Sequence, residues 1–212
     1  MSALRRALLV LPALAACYAY APPRWAAAEP TPEPAPAADA ASPDEPSRDG
    51  PPMDAPVEGV RGRIVEIARR FVGRPLSGDC SGFVRRVMRE ASVELPPLPP
   101  GRSMSESLHL AARDVDVPRP GDLAFFHDTY DRNRDGRLGD KWTHVALVEA
   151  VRGDQVWLIH RGGRRIVRIL MDLARPDDEH LNDRVRPKGR RDPRGTRYLT
   201  GELFAGYGSV VE

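Results

Sequence analysis

Two cysteines in 212 residues leave little room for disulfide chemistry. Cys17 sits in a context that points to lipid attachment, so the rest of the chain holds one thiol, Cys80, and an internal disulfide is excluded. Long apolar runs are scarce as well. The N-terminal run Ala7–Ala16 is too short to cross a bilayer as a mature helix. Neither sign of charge dominates, because 32 Lys and Arg face 30 Asp and Glu for a net +2. With no basic helix, zinc-ligand cluster or aromatic RNA motif, nucleic acid is not a predicted partner. Internal repeats are absent.

What is present at the N-terminus reads as an address. Arg5 and Arg6 precede Ala7–Ala16 in the pattern of a bacterial secretory signal. Leu14-Ala15-Ala16-Cys17 adds a lipobox, in which the signal is cut and Cys17 is acylated, with ordinary cleavage near Ala26–Ala28 as the alternative. Several acyl chains on one cysteine anchor firmly, since each buried methylene contributes about 0.8 kcal/mol. Tyr18 stands where an aspartate would favour the inner membrane, so the expected location is the periplasmic face of the outer membrane. Residues 18–57 follow, rich in Pro, Ala, Asp and Glu, and hold 11 of the 22 prolines. Such a segment cannot offset the entropy of ordering and is expected to be a disordered tether. The folded domain is therefore expected over 58–212, enough for one core.

Val60, Ile64, Ile67, Ala68 and Phe71 recur at helical spacing and predict an amphipathic helix closed by Gly73 and Pro75. Phe83, Val84, Val87, Met88 and Ala91 predict a second, beginning at or just after Cys80, and the proline-rich 95–101 stretch stops it. A short polar helix is expected around Ser103–Arg113. The second half changes period. Leu123–Phe126, His144–Val151, Gln155–His160, Ile166–Leu170 and Phe204–Val211 read as strands, with Val151-Arg152-Gly153-Asp154 as a hairpin turn. Helices first and strands second predict an α+β fold with an antiparallel sheet packed on helices.

Cys80 lies in Gly78-Asp79-Cys80-Ser81-Gly82-Phe83-Val84. A thiol at a helix N-terminus faces unpaired N–H groups and the positive end of the helix dipole, which is expected to lower its pKa and favour the reactive thiolate. Gly78 and Gly82 leave room for a substrate backbone, and the Cys80 N–H is placed to stabilise an oxyanion. The general base would be one of five histidines: His109, His127, His144, His160 and His180. His144 opens one strand and His160 ends the next, so an antiparallel hairpin brings them to the same end of the sheet. One can act as base while the other fixes its tautomer. His109, His127 and His180 have no motif support, and Asp122 reads as a turn residue.

Ile64-Val65 to Gly73, Asp79-Cys80-Ser81-Gly82-Phe83-Val84, Leu95-Pro96, Pro120-Gly121-Asp122-Leu123-Ala124-Phe125-Phe126 and His144-Val145-Ala146-Leu147-Val148 occur in the order typical of the NlpC/P60 cysteine peptidases. This resemblance implies a papain-like α+β fold that hydrolyses amide bonds in peptidoglycan peptides, typically between γ-D-glutamate and a diamino acid, with no required cofactor. It implies Cys80 as nucleophile, His144 as base and His160 as the residue that orients the base, while Asp79 and Ser81 match positions that contact the substrate's free amine. Many members carry a tyrosine after the proline that precedes the cysteine. Here the sequence is Arg74-Pro75-Leu76-Ser77-Gly78. The string His144–Glu149 is also similar to the CHAP amidases. The alternatives are therefore a CHAP-like amidase or other acyl-transfer enzyme on the same scaffold, and a non-catalytic tethered peptidoglycan-binding module.

An insertion separates Phe126 from His144. Asp131, Asn133 and Asp135 alternate, Gly136 supplies a sharp turn and Leu138 falls where a calcium loop keeps an apolar residue. With the Arg137 carbonyl and Asp140 or Asp128 added, these residues are candidate ligands for a structural calcium. Trp142 occupies the position of the usual bidentate glutamate, and three interleaved arginines oppose a cation. The other reading is a solvated, turn-rich loop. Arg184–Arg197 is a charge run expected to be a solvated loop.

Overall fold

The computed structural model describes residues 57–211. The expected leader 1–17 with its lipobox Cys17, and the tether up to residue 56, lie outside the described residues.

Helix α1, Gly59–Phe71, buries Ile64, Val65, Ile67, Ala68 and Phe71, and the chain turns away at Gly73, whose φ of +80° suits glycine. Helix α2, Cys80–Glu90, begins where the cysteine motif predicts. Asp79 is its N-cap and accepts the Gly82 N–H at 2.7 Å, while Phe83, Val84, Val87 and Met88 form its buried stripe. Helix α3, Met104–Ala111, is capped by Ser103. The strands are β1 (Arg113–Val115), β2 (Leu123–Phe126), β3 (His144–Arg152), β4 (Gln155–Gly162), β5 (Arg165–Asp172) and β6 (Phe204–Ser209), with the short helix α4 (Thr200–Leu203) before the last. They form one six-stranded sheet in the order β1-β6-β2-β3-β4-β5, and every neighbouring pair is antiparallel. This is the expected α+β arrangement. The three residues of β1 were not legible as a strand, and they pair with β6 alone.

Both faces of this sheet are covered. Phe125, Val145, Leu147, Ile159 and Ile166 pack with the apolar stripes of α1 and α2. Phe126, Ala146, Val148, Leu158 and Met171 pack with Val185, Leu203 and Tyr207 in a second cluster. Double coverage explains why β2 is apolar at every position instead of alternating. Each fully buried Leu, Ile, Val or Phe contributes on the order of 2 kcal/mol. Part of the Arg184–Arg197 run thus belongs to the fold, against the expectation of a solvated loop. Val185 and Arg186 are buried, and Arg186 donates to the Asp128 carbonyl and to Asp192 Oδ1, the latter at 3.0 Å.

Two buried carboxylates tie helix α1 to the sheet. Asp122, the expected turn residue, accepts from Arg61 Nη1 at 2.7 Å and the Arg119 N–H at 2.8 Å. Glu149, on β3, accepts from Arg69 Nε at 2.6 Å, Arg168 Nε at 2.7 Å and Arg168 Nη2 at 2.9 Å. That triad joins α1, β3 and β5. No helix among the described residues is long and apolar enough to cross a membrane.

Candidate active site

Cys80 is the first residue of α2 and half-buried, so its sulfur sits at the end of the helix where backbone N–H groups lack intrahelical partners. A pocket of about 220 Å³ opens beside it, and Asp79, Ser81, Thr143 and His144 share its walls. His144 is the first residue of β3. Its Nε2 lies 2.8 Å from His160 Nδ1, with the two rings nearly perpendicular at 82°. The hairpin therefore brings the two predicted histidines together, and Nδ1 of His144 is the ring nitrogen left for a thiol. Gly162 makes space for this pair. A Cβ there would meet Val167 Cγ2 at 2.8 Å and His160 Nε2 at 3.2 Å, so any side chain would press on the His160 ring.

Electrostatics depart from the expectation in one respect. Burial pushes the Cys80 thiol up and the nearby Asp79 charge adds to the rise, outweighing hydrogen bonds from the Val145 main chain and from Ser81. Desolvation is the largest of these contributions. Burial pushes His144 down to about 4 against the pull of Asp79, and it pushes His160 well below the ordinary range, with His144 adding to the fall. At neutral pH the site holds a thiol and a neutral imidazole rather than an ion pair.

These buried imidazoles set an acid limit on the fold. Unfolded histidine takes up its proton near pH 6.5, whereas folded His144 does so only near pH 4. Between those values the unfolded state binds more protons, so stability that is complete above pH 6.5 is lost as pH falls. Acidification from pH 6.5 to 5 is expected to cost about 2 kcal/mol through His144 alone, with His160 acting in the same direction. Urea unfolding at the two pH values measures it, and an unchanged midpoint would contradict the buried neutral pair.

The approach to His144 is held by residues that carried no sequence signal. Trp142 has φ +53°, an uncommon conformation for a bulky residue. Its N–H donates to His127 Nδ1 at 2.9 Å, its carbonyl accepts from Ser103 Oγ at 3.1 Å, and its ring stacks on His109 with centroids 3.5 Å apart. Burial lowers the pKa of both His109 and His127, which keeps Nδ1 of His127 free to accept. Thr143 Oγ1 accepts the Thr129 N–H at 2.9 Å and lies 2.9 Å from the Thr129 hydroxyl, tying the insertion to the strand start. Tyr130, Arg161 and Ser103–Ser105 complete the pocket wall. Tyr130 supplies an aromatic side chain from the insertion, whereas the segment before the cysteine offers Leu76. Of the two residues matched to amine recognition, Asp79 lines the pocket while capping α2, and Ser81 is buried beside it.

The insertion closes on its own N–H groups. Asp131 Oδ2 accepts from Gly136 at 2.9 Å, Asn133 Oδ1 from Asp135 at 3.0 Å, and Asp135 Oδ1 from Arg137 at 2.8 Å, with Gly136 at φ +73°. Asp140 is turned to Arg132, accepting its N–H at 2.9 Å, and Asp128 Oδ1 accepts the Gly139 and Asp140 N–H groups at 2.7 Å. The other oxygen of Asp131 is buried and has no hydrogen-bond partner. No three His, Cys, Asp or Glu side chains converge as a metal site among the described residues.

The NlpC/P60 family model matches residues 70–172, a span that contains Cys80, His144 and His160. No curated protein matches the chain. Among solved structures, the one titled "The crystal structure of Ly7917" is similar over 55% of this chain and 58% of its own, at 17% identity and a TM-score of 0.39. The present chain thus spans less than two thirds of that protein's length.

Proposed function

We propose that the NlpC/P60 domain found at residues 70–172 makes this protein a cysteine hydrolase that cleaves an amide bond in peptidoglycan peptides. The observation that carries the reading is the pocket shared by Cys80 and His144, with the imidazole locked by its 2.8 Å contact to His160. In this reading Cys80 Sγ attacks the amide carbonyl carbon as its proton passes to Nδ1 of His144. The carbonyl oxygen becomes an oxyanion facing the Cys80 N–H. His144 then gives the proton to the leaving amine, the C–N bond breaks and a thioester remains on Cys80. Water, deprotonated by the same imidazole, attacks the thioester and releases the carboxylic acid, restoring the thiol. His160 fixes the tautomer and orientation of His144. Asp79 and Ser81 contact the substrate's amine.

Two further features belong to the proposal. Cys17 carries a lipid anchor that holds the domain at a periplasmic membrane face, supported by the lipobox. A calcium ion is held by Asp131, Asn133, Asp135 and the Arg137 carbonyl. The partnerless, buried Asp131 oxygen favours it, and Asp140 belongs to the same candidate set.

One experiment tests these together. The full chain is incubated with purified peptidoglycan fragments, with calcium or with chelator, and the products are read by mass spectrometry. The expected result is a new pair of fragments that differ from their parent by one water and name the bond cut. Calcium is expected to raise the melting temperature by several degrees relative to chelator. An intact substrate in the presence of folded protein rejects the hydrolase reading, and an unchanged melting temperature rejects the metal.

A further inference from the structure

The chain enters β3 through a residue in an uncommon conformation. Trp142, two positions before His144, has φ +53°, and at the other end of the insertion Asp128 has φ +51°. A bulky side chain in the left-handed region persists only where its surroundings hold it, and such residues cluster where geometry serves function. The closure of the insertion shows what holds this one. The Asp128 N–H donates to the Asp140 carbonyl at 2.8 Å and the Thr143 N–H to the Phe126 carbonyl at 2.9 Å, both main-chain pairs. Between them the Trp142 N–H donates to a side chain, Nδ1 of His127, at 2.9 Å.

His127 is itself a fixed point. Its main-chain N–H donates to the Leu203 carbonyl at 2.9 Å, which secures the residue after β2 to the end of α4. Its ring meets the Trp142 indole edge-on with centroids 4.5 Å apart, while His109 stacks on the indole. Since Ser103 Oγ donates to the Trp142 carbonyl, both main-chain polar groups of Trp142 are held by side chains from other segments. A left-handed residue sets the direction of the next peptide, and here the next two residues, Thr143 and His144, are on the wall of the Cys80 pocket. Relaxation of Trp142 to an ordinary conformation would turn that peptide and move the His144 ring relative to Cys80. A displacement of about 1 Å at a reacting group is enough for a roughly hundredfold loss of rate.

We propose that His127 is a positioning residue: by accepting the Trp142 N–H it keeps Trp142 left-handed and thereby holds the His144 imidazole toward Cys80. The inference rests on the hydrolase reading, in which His144 serves Cys80. It adds a residue that is not among those lining the pocket and acts only through the main chain of its partner.

The test compares His127→Leu, which fills the space without an acceptor, with His127→Asn, whose Oδ1 can take the place of Nδ1. On a synthetic peptide that reproduces a bond the full chain is found to cut, His127→Leu is expected to lose at least about tenfold in kcat, with KM unchanged within about twofold. His127→Asn should stay within about threefold of wild type. A second readout needs no substrate: the rate at which iodoacetamide alkylates Cys80, followed on the Cys80 peptide by mass spectrometry. His144→Ala sets the rate without a base, and His127→Leu should fall close to it while His127→Asn stays near wild type. Should His127→Leu be unfolded at the assay temperature, His127→Gln takes its place with the same expectation, because its amide lies one carbon too far along the side chain. A variant without the acceptor that keeps wild-type kcat and labelling overturns the proposal. So does a His127→Asn as impaired as His127→Leu, which would assign the effect to ring packing. Failure of the hydrolase reading looks different: the wild type then cleaves nothing, while the order of labelling rates still decides the role of His127.

Discussion

Cys80→Ala is expected to abolish amide cleavage, with a loss of at least about 10⁴-fold in kcat, while leaving the melting temperature within a degree or two of wild type. The side chain sits half-buried at the first turn of α2, outside the stripe formed by Phe83, Val84, Val87 and Met88, so its removal opens little of the core. Cys80→Ser should be almost as inactive, because a hydroxyl is far harder to deprotonate than a thiol. His144→Ala is expected to lose about 10³-fold, which separates the base from the nucleophile. Since burial holds the thiol protonated, iodoacetamide should label Cys80 at pH 7 more slowly than it labels a free cysteine. Rapid labelling would mean that an ion pair exists in the resting protein. Retention of cleavage by Cys80→Ala would remove the thiol from the mechanism altogether.

Arg168→Met is expected to destabilise the fold by about 3 kcal/mol. Glu149 has a fully buried side chain, and Arg168 grips both its oxygens while Arg69 reaches one of them. Losing the bidentate partner leaves a buried carboxylate with half its compensation, and such loss costs more than the pair adds over an apolar replacement. Arg70→Met, on helix α1, is the control at an exposed ion pair. Its ion pair with Glu66 is 63% and 65% exposed, so it should change stability by no more than about 0.5 kcal/mol. Urea unfolding followed by circular dichroism measures both. Equal small effects would show that Glu149 is already adequately served by Arg69.

The parts legible in the sequence were those with local signatures. Asp79 followed by the Phe83, Val84, Val87 and Met88 period located the start of α2 on Cys80, and Gly153-Asp154 between apolar runs placed the β3–β4 turn that sets His144 against His160. The parts that were not legible depend on contacts between distant segments. Trp142 is clamped by His109 and His127, which have no spacing relation to it. The upward shift of the Cys80 thiol is illegible for the same reason. A helix N-terminus can be read from a motif, but the depth of burial opposing it is set by the whole fold.

The place of β6 has a consequence for how the protein comes into being. Strand β6 lies between β1 and β2, so the strand leading toward His144 has a bare edge until residues 204–209 arrive. During synthesis those residues leave the ribosome about eighty residues after β2, and later still than Cys80. A chain stalled or clipped before them exposes an unpaired β2, the kind of edge that recruits other chains. A copy that lacks residues 204–209 is therefore an aggregation hazard, because its sheet stays open beside β2.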